Sequence, residues 1–126
     1  MYKRQIIPKS IQFQPTTLQN YEIALIKNPT LTGASWSAVS SDANVEMDVS
    51  ATAISAAGTL VQNGYIANTG GGGQTSTVEA TGYNFDLQLG ASLTSVSDIY
   101  TLGVRTISGA TKGDGVGTIS FFDLTQ

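Results

Sequence analysis

The sequence predicts an all-β fold, an antiparallel two-sheet β-sandwich of the jelly-roll kind. Three observations predict it. Apolar and polar residues alternate strictly in several short runs, as at Tyr21-Glu22-Ile23-Ala24-Leu25 and Val45-Glu46-Met47-Asp48-Val49-Ser50-Ala51. That period of two is what a sheet with one dry and one wet face requires. Turn-forming residues punctuate the runs at short intervals, and no segment has a convincing amphipathic helical period. About eight short strands at such spacing is the signature of a sandwich or barrel. An immunoglobulin-like sandwich is the alternative, with Trp36 as its buried tryptophan, but this chain lacks the cysteines of its inter-sheet disulfide.

Met1–Gln5 does not continue the strand pattern. It reads as a non-native or disordered start, matching what a transposon mosaic-end adapter would encode in one frame. On that reading the chain is a metagenomic fragment, and residues 6–126 are the carboxy-terminal domain of a longer protein. The first strand spans Ile6–Phe13, with Ile7, Ile11 and Phe13 inward and Pro8 marking an edge or bulge. Gln14–Thr17 is a turn. Leu18–Lys27 is a longer strand closed by Asn28-Pro29, and Ser35–Val39 follows with Trp36 near its start. Ser40–Asn44 is a turn whose side chains bond their own backbone. Val45–Ala53 is the cleanest alternating strand of the first half, which places Met47 in the core. The small residues of Ser50–Ala57 suit a helical turn, but their alternation favours strand. Ala56–Gly58 breaks the chain, and Thr59–Ala67 resumes it with Leu60, Val61, Tyr65 and Ile66.

Gly70–Gly73 is a flexible loop tip. It does not read as a phosphate cradle, because the following Gln74–Val78 is strand-like and supplies no helix N-terminus. Tyr83, Phe85, Leu87 and Leu89 alternate with polar residues and give a strand with Phe85 in the core. Asp98–Ile107 is a strand carrying Tyr100, Leu102 and Val104 on one face. Ser108–Gly115 is an exposed hairpin loop, and Val116–Leu124 is the last strand.

Composition narrows the function. The chain has 126 residues, enough for one core and too few for two. It is 40% hydrophobic and only 12% charged, about half the usual charged share of a soluble domain. A weakly charged surface repels its neighbours weakly and suits a protein that works inside an assembly. Net charge is −3, and the only basic pair, Lys3-Arg4, lies at the amino end, so no electrostatic footprint for nucleic acid exists. No run approaches a membrane span.

The chain contains no His and no Cys. This removes Ser/His/Asp catalysis, the thiolate nucleophile and the usual transition-metal ligands. A glycosidase needs two carboxyls opposed across a cleft, one with a raised pKa. Glu46 and Asp48 share a strand face, among small polar neighbours that make it a solvated face. Calcium needs only oxygen ligands, and Asp42, Asn44 and Asp114 supply some, but in no calcium-loop spacing. No catalytic residue, cofactor site or metal site is assigned. Trp36, Tyr65, Tyr83 and Tyr100 are the aromatics able to stack on a sugar ring; Trp36, Tyr65 and Tyr100 are the candidate ligand or contact surface, although a lone Trp in a small sandwich is more often core.

Three segments carry a resemblance: Ile26-Lys27-Asn28-Pro29-Thr30-Leu31-Thr32-Gly33-Ala34-Ser35-Trp36; Val45–Ile54; and Ile99–Arg105 followed by Gly117–Leu124. Together they resemble the carboxy-terminal domain of tailed-phage virion proteins of the head-fibre, decoration or tail-fibre type. The resemblance covers most of the chain through loose structural motifs, and Gly70–Gly73 departs from it. It implies a non-enzymatic structural protein on the phage particle surface, partnered with itself as a homotrimer and with other virion proteins. The final two segments resemble a terminal hairpin, and a host surface glycan is a further partner the resemblance allows. The alternative is a carbohydrate-binding module of a secreted protein, which requires two or three coplanar aromatics on one exposed face.

Overall fold

The computed structural model describes residues 6–17, 19–41, 45–67, 76–79, 98–107 and 113–123. The side chains of Ile6, Asp123 and residues 76–79 are not described. Among the described residues the fold is all-β, with no helix and several antiparallel sheets. The strands are β1 (Ile6–Pro15), β2 (Asn20–Lys27), β3 (Thr30–Thr32), β4 (Ser37–Ala38), β5 (Glu46–Met47), β6 (Ala53–Ala56), β7 (Thr59–Ala67), β8 (Ser76–Glu79), β9 (Tyr100–Thr106) and β10 (Gly115–Asp123). One three-stranded sheet has the order β10-β1-β8 and a second the order β7-β2-β9.

The two central strands, β1 and β2, supply most of the core. In β2 the predicted alternation is realised: Tyr21, Ile23 and Leu25 are 1%, 0% and 1% exposed, while Glu22, Ala24 and Ile26 are half-buried on the other face. In β1, Ile11 and Phe13 are buried and Ile7 is half-buried. Ile11, Phe13, Tyr21, Ile23, Leu25 and Ile66 of β7 form one apolar cluster fed by both sheets, with Val61, Tyr100, Leu102 and Ile119 packed against it. The Phe13 and Tyr21 rings meet at 5.3 Å and 60°, a tilted aromatic pair joining the sheets. Pro8 marks a bulge, as expected: the β1–β10 register shifts between Pro8 and Ser10. It is not an edge position in sequence terms alone, since β1 is central. Among the described residues the β8 ladder runs over Ser10–Phe13.

Gly113, Gly115 and Gly117 fall on alternate residues and clear one face of the β10 chain. A Cβ at Gly113 would lie 2.3 Å from the Tyr21 hydroxyl, one at Gly115 would lie 2.1 Å from Phe13 Cζ, and one at Gly117 would lie 2.5 Å from Leu102 Cδ2. The glycines let two aromatic rings and a leucine rest directly on backbone. This corrects the hairpin-loop reading of Gly113–Gly115: Gly115 opens β10, and both glycines face buried rings. Residues 108–112 of that loop lie outside the described residues. The terminal-hairpin expectation is also corrected, because β9 ladders with β2 and β10 with β1, in different sheets.

The largest departure lies between β2 and β7. These strands pair antiparallel, and beyond them β3 pairs with β6 and β4 with β5, so residues 30–41 and 45–56 extend the β2–β7 hairpin as a two-stranded arm. Asn28 at its base has a positive φ of 54°, a conformation asparagine tolerates. Across from it Gly58 sits so close that a Cβ would lie 2.1 Å from the Lys27 carbonyl oxygen. The predicted strand Val45–Ala53 is broken inside this arm. Asp48 Oδ1 accepts hydrogen bonds from the Ser35 and Ser50 amides at 2.9 and 3.0 Å, and Oδ2 accepts from the Ala51 amide at 3.0 Å. The carboxylate thus takes over backbone donors that a ladder would have used. Consequently Met47 is 44% exposed and Val49 is 87% exposed, which overturns the core placement of Met47. The Tyr83–Leu89 alternation, Phe85 and the Gly70–Gly73 tip lie outside the described residues.

Candidate functional site

The three sequence candidates do not converge. Trp36 is 41% exposed and lies between β3 and β4, in the arm. Tyr100, on the inner face of β9, is half-buried against the core. Its burial, with Asp98 nearby, pushes the phenol up to about 12 and keeps it protonated at neutral pH. Tyr65 alone stands on an open sheet face, 63% exposed. Tyr83 lies outside the described residues.

Tyr65 is nonetheless part of a group that sequence reasoning did not assemble. Register places Tyr65 of β7, Glu22 of β2 and Arg105 of β9 side by side across the outer face of the β7-β2-β9 sheet. Residues 63 and 65 are two apart on one strand and therefore share that face. Asn63 Nδ2 donates to Glu22 Oε1 at 3.3 Å and to the Tyr65 hydroxyl at 3.4 Å. The Arg105 Nε–H donates to Glu22 Oε2 in a close ion pair. Hydrogen bonds from Arg105 and then Asn63 hold the Glu22 carboxyl below its ordinary range, so it stays ionised. The Glu22 side chain is 12% exposed and that of Arg105 is 77% exposed. The acid forms the floor, and the guanidinium lies over it facing solvent.

Ala24 and Gly103, the next cross-strand pair, continue the same outer face. A Cβ at Gly103 would meet Ile26 Cδ1 at 3.1 Å and Ile54 Cδ1 at 3.3 Å. Ile54 of the arm therefore covers that end of the face and leaves the Tyr65–Glu22–Arg105 row open. The sequence offered a weak signal for the row. Glu22, Asn63 and Tyr65 each occupy a polar or outward position of an alternating strand, but strand partners cannot be read from one chain.

A second polar site pins the base of the arm. Asn28 Nδ2 donates to Asp98 Oδ1 at 2.8 Å, its Oδ1 accepts the Ile99 amide at 2.8 Å, and its own amide donates to the Ile99 carbonyl at 2.8 Å. Lys27 and Asp98 are 3.4 Å apart. This is bracing rather than chemistry. The carboxyls considered for glycosidase work do not form an opposed pair: Glu46 is exposed, and Asp48 is held down to about 2, first by the Ser50 hydroxyl and then by backbone amides. A general acid needs the opposite shift. Asp42 and Asn44 lie outside the described residues; Asp114 uses its backbone, donating to Thr17 Oγ1 at 3.0 Å and accepting from the Thr16 amide at 2.8 Å. Among the described residues no three acidic side chains gather to hold a metal.

Comparison of the chain with protein-family models, with curated proteins and with solved structures finds no match.

Proposed function

We propose that this chain is a non-enzymatic structural domain of a phage particle that acts by self-association and by attachment to other virion proteins. In this reading the two three-stranded sheets are the layers of a jelly-roll-like sandwich, and the assembly is a homotrimer. The observation that carries it is the arm. An isolated two-stranded ribbon is marginal in water, yet the arm beyond β2 and β7 is two-stranded and leaves Met47 and Val49 exposed. Burial of such side chains between copies supplies what the ribbon lacks, and the 12% charged composition does little to oppose contact.

Light scattering coupled to size exclusion tests this. The expected mass is three times the 13.1 kDa of the chain. A monomer at every concentration up to ~100 µM, well above the micromolar range of stable association, overturns it. The carbohydrate-module alternative has one observation in its favour, the exposed Tyr65 on the outer face of the β7-β2-β9 sheet. It calls for coplanar aromatics, whereas Trp36 and Tyr100 sit elsewhere.

A further inference from the structure

We propose that copies of this chain join head to tail: the arm tip of one copy lies on the outer face of the β10–β1 pair of the next, Val39 and Met47 over Ile7 and Phe122, with Glu46 of the arm beside Lys9. This rests on the self-association proposed above and names the two surfaces that meet. In the arm tip Ser37 pairs with Met47 and Ala38 with Glu46. Ser37, Val39 and Met47 therefore share one face of the ribbon, with Glu46 on the other. Val39 is 49% and Met47 44% exposed. On β10, Phe122 stands an odd number of residues from Gly115 and Gly117, whose face meets the core rings, so it belongs to the outer face. Ile7 is its partner in register, turned to that face by the bulge between Pro8 and Ser10. Phe122 is 42% exposed, and the Lys9 Nζ stands 5.5 Å from the centre of its ring.

Charge selects the surface that takes the arm. The arm segment carries Asp42, Glu46 and Asp48, and the sequence has no Lys or Arg between Lys27 and Arg105. Packing arm against arm would bring like charges together, whereas packing it against the body of another copy does not. Among the described residues, Lys27 and Arg105 are ion-paired with Asp98 and Glu22, while Lys9 has no carboxylate partner and lies over an aromatic ring instead. Glu46 is exposed and has neither an ion pair nor a hydrogen bond among them. Each of these two unmatched charges borders an exposed apolar patch, the arrangement of an interface with an apolar centre and a polar rim. The patches lie on different parts of the chain, so their contact is heterologous. Such a contact closes into a ring of three when each copy is turned by a third of a circle from the last.

The chain contains no Cys, so introduced thiols report this contact without background. A disulfide needs Cα atoms within about 7 Å of each other. The full chain carrying Met47→Cys and Phe122→Cys together is oxidised mildly at a concentration where light scattering shows an oligomer. It is expected to run as a covalent trimer on a non-reducing gel, and each single variant as one chain. Lys9→Glu and Glu46→Lys, both at exposed positions, are each expected to weaken association about tenfold with the circular dichroism spectrum unchanged, and the double variant to recover it. The proposal is overturned if Met47→Cys alone cross-links as fully as the pair, which would mean that arm meets arm. It is equally overturned if the oligomeric double-Cys variant yields no covalent multimer, or if the double charge variant associates as weakly as the singles. An oligomer without the Met47–Phe122 cross-link sinks this contact alone; a parent chain that stays monomeric sinks the self-association reading and this contact with it.

Discussion

Strand β2 and the arm segment from Val45 to Ala51 have nearly the same alternating pattern, and the protein treats them in opposite ways. In β2 the apolar side chains are almost fully excluded from water, whereas Met47 and Val49 face it. The difference is in the neighbours. β2 has a ladder on both sides, β7 and β9, and a facing strand, β1, that brings Ile11 and Phe13 onto the same cluster. Each arm strand has a ladder on one side, and Asp48 interrupts the pairing between β4–β5 and β3–β6 by drawing the Ser35, Ser50 and Ala51 amides to its carboxylate. Alternation reports which side chains share a face; it does not report whether that face has anything to bury against.

The largest effect expected is at the centre of the buried strand. Ile23→Asp places an unpaired charge at a fully buried position and is expected to abolish folding, at a cost of several kcal/mol. Met47→Asp, by contrast, leaves the chain folded and weakens self-association. Circular dichroism and light scattering on the two variants separate the regions; a folded Ile23→Asp protein would break the comparison. Gly115→Ala follows, since its Cβ would lie 2.1 Å from Phe13 Cζ and the ring must move, at about 1–3 kcal/mol in denaturant unfolding.

Tyr21→Phe is expected to cost about 1 kcal/mol. Its hydroxyl is hydrogen-bonded to Thr17 Oγ1, and it donates to the Thr17 carbonyl at 3.3 Å and the Asp114 carbonyl at 3.5 Å. Acid provides the gentlest probe of the arm. The Asp48 carboxyl falls from 3.8 to about 2 on folding, so its contribution is complete above 3.8 and disappears as pH drops through about 2. Exchange of the Ser50 and Ala51 amides should therefore accelerate between pH 4 and about 2, relative to their intrinsic rates, while Ile23 stays protected. In Asp48→Asn that acid transition is expected to vanish.

The sequence made the β class legible because Tyr21, Ile23 and Leu25 follow the pleat and Asn28-Pro29 ends it. The Pro8 bulge was legible from the missing N–H. The break at Asp48 was not, since a carboxylate that captures backbone amides looks like any polar residue of an alternating strand. Nor was the role of Gly113, Gly115 and Gly117, whose spacing matches an emptied strand face only once Tyr21, Phe13 and Leu102 are placed over it. The Tyr65–Glu22–Arg105 row depends on register between residues more than forty positions apart, and no local pattern encodes that. Trp36 and Tyr100 stand out by ring chemistry alone, which is blind to the face a ring occupies.

Amide hydrogen exchange as a function of protein concentration tests the account most directly. Protection of Ile23 and Leu25 should be independent of concentration, whereas protection of Met47 and of Ala53–Ala56 should rise with it as copies cover the arm. Equal protection of the arm at low and high concentration would contradict the claim that this region is completed by other copies of the chain.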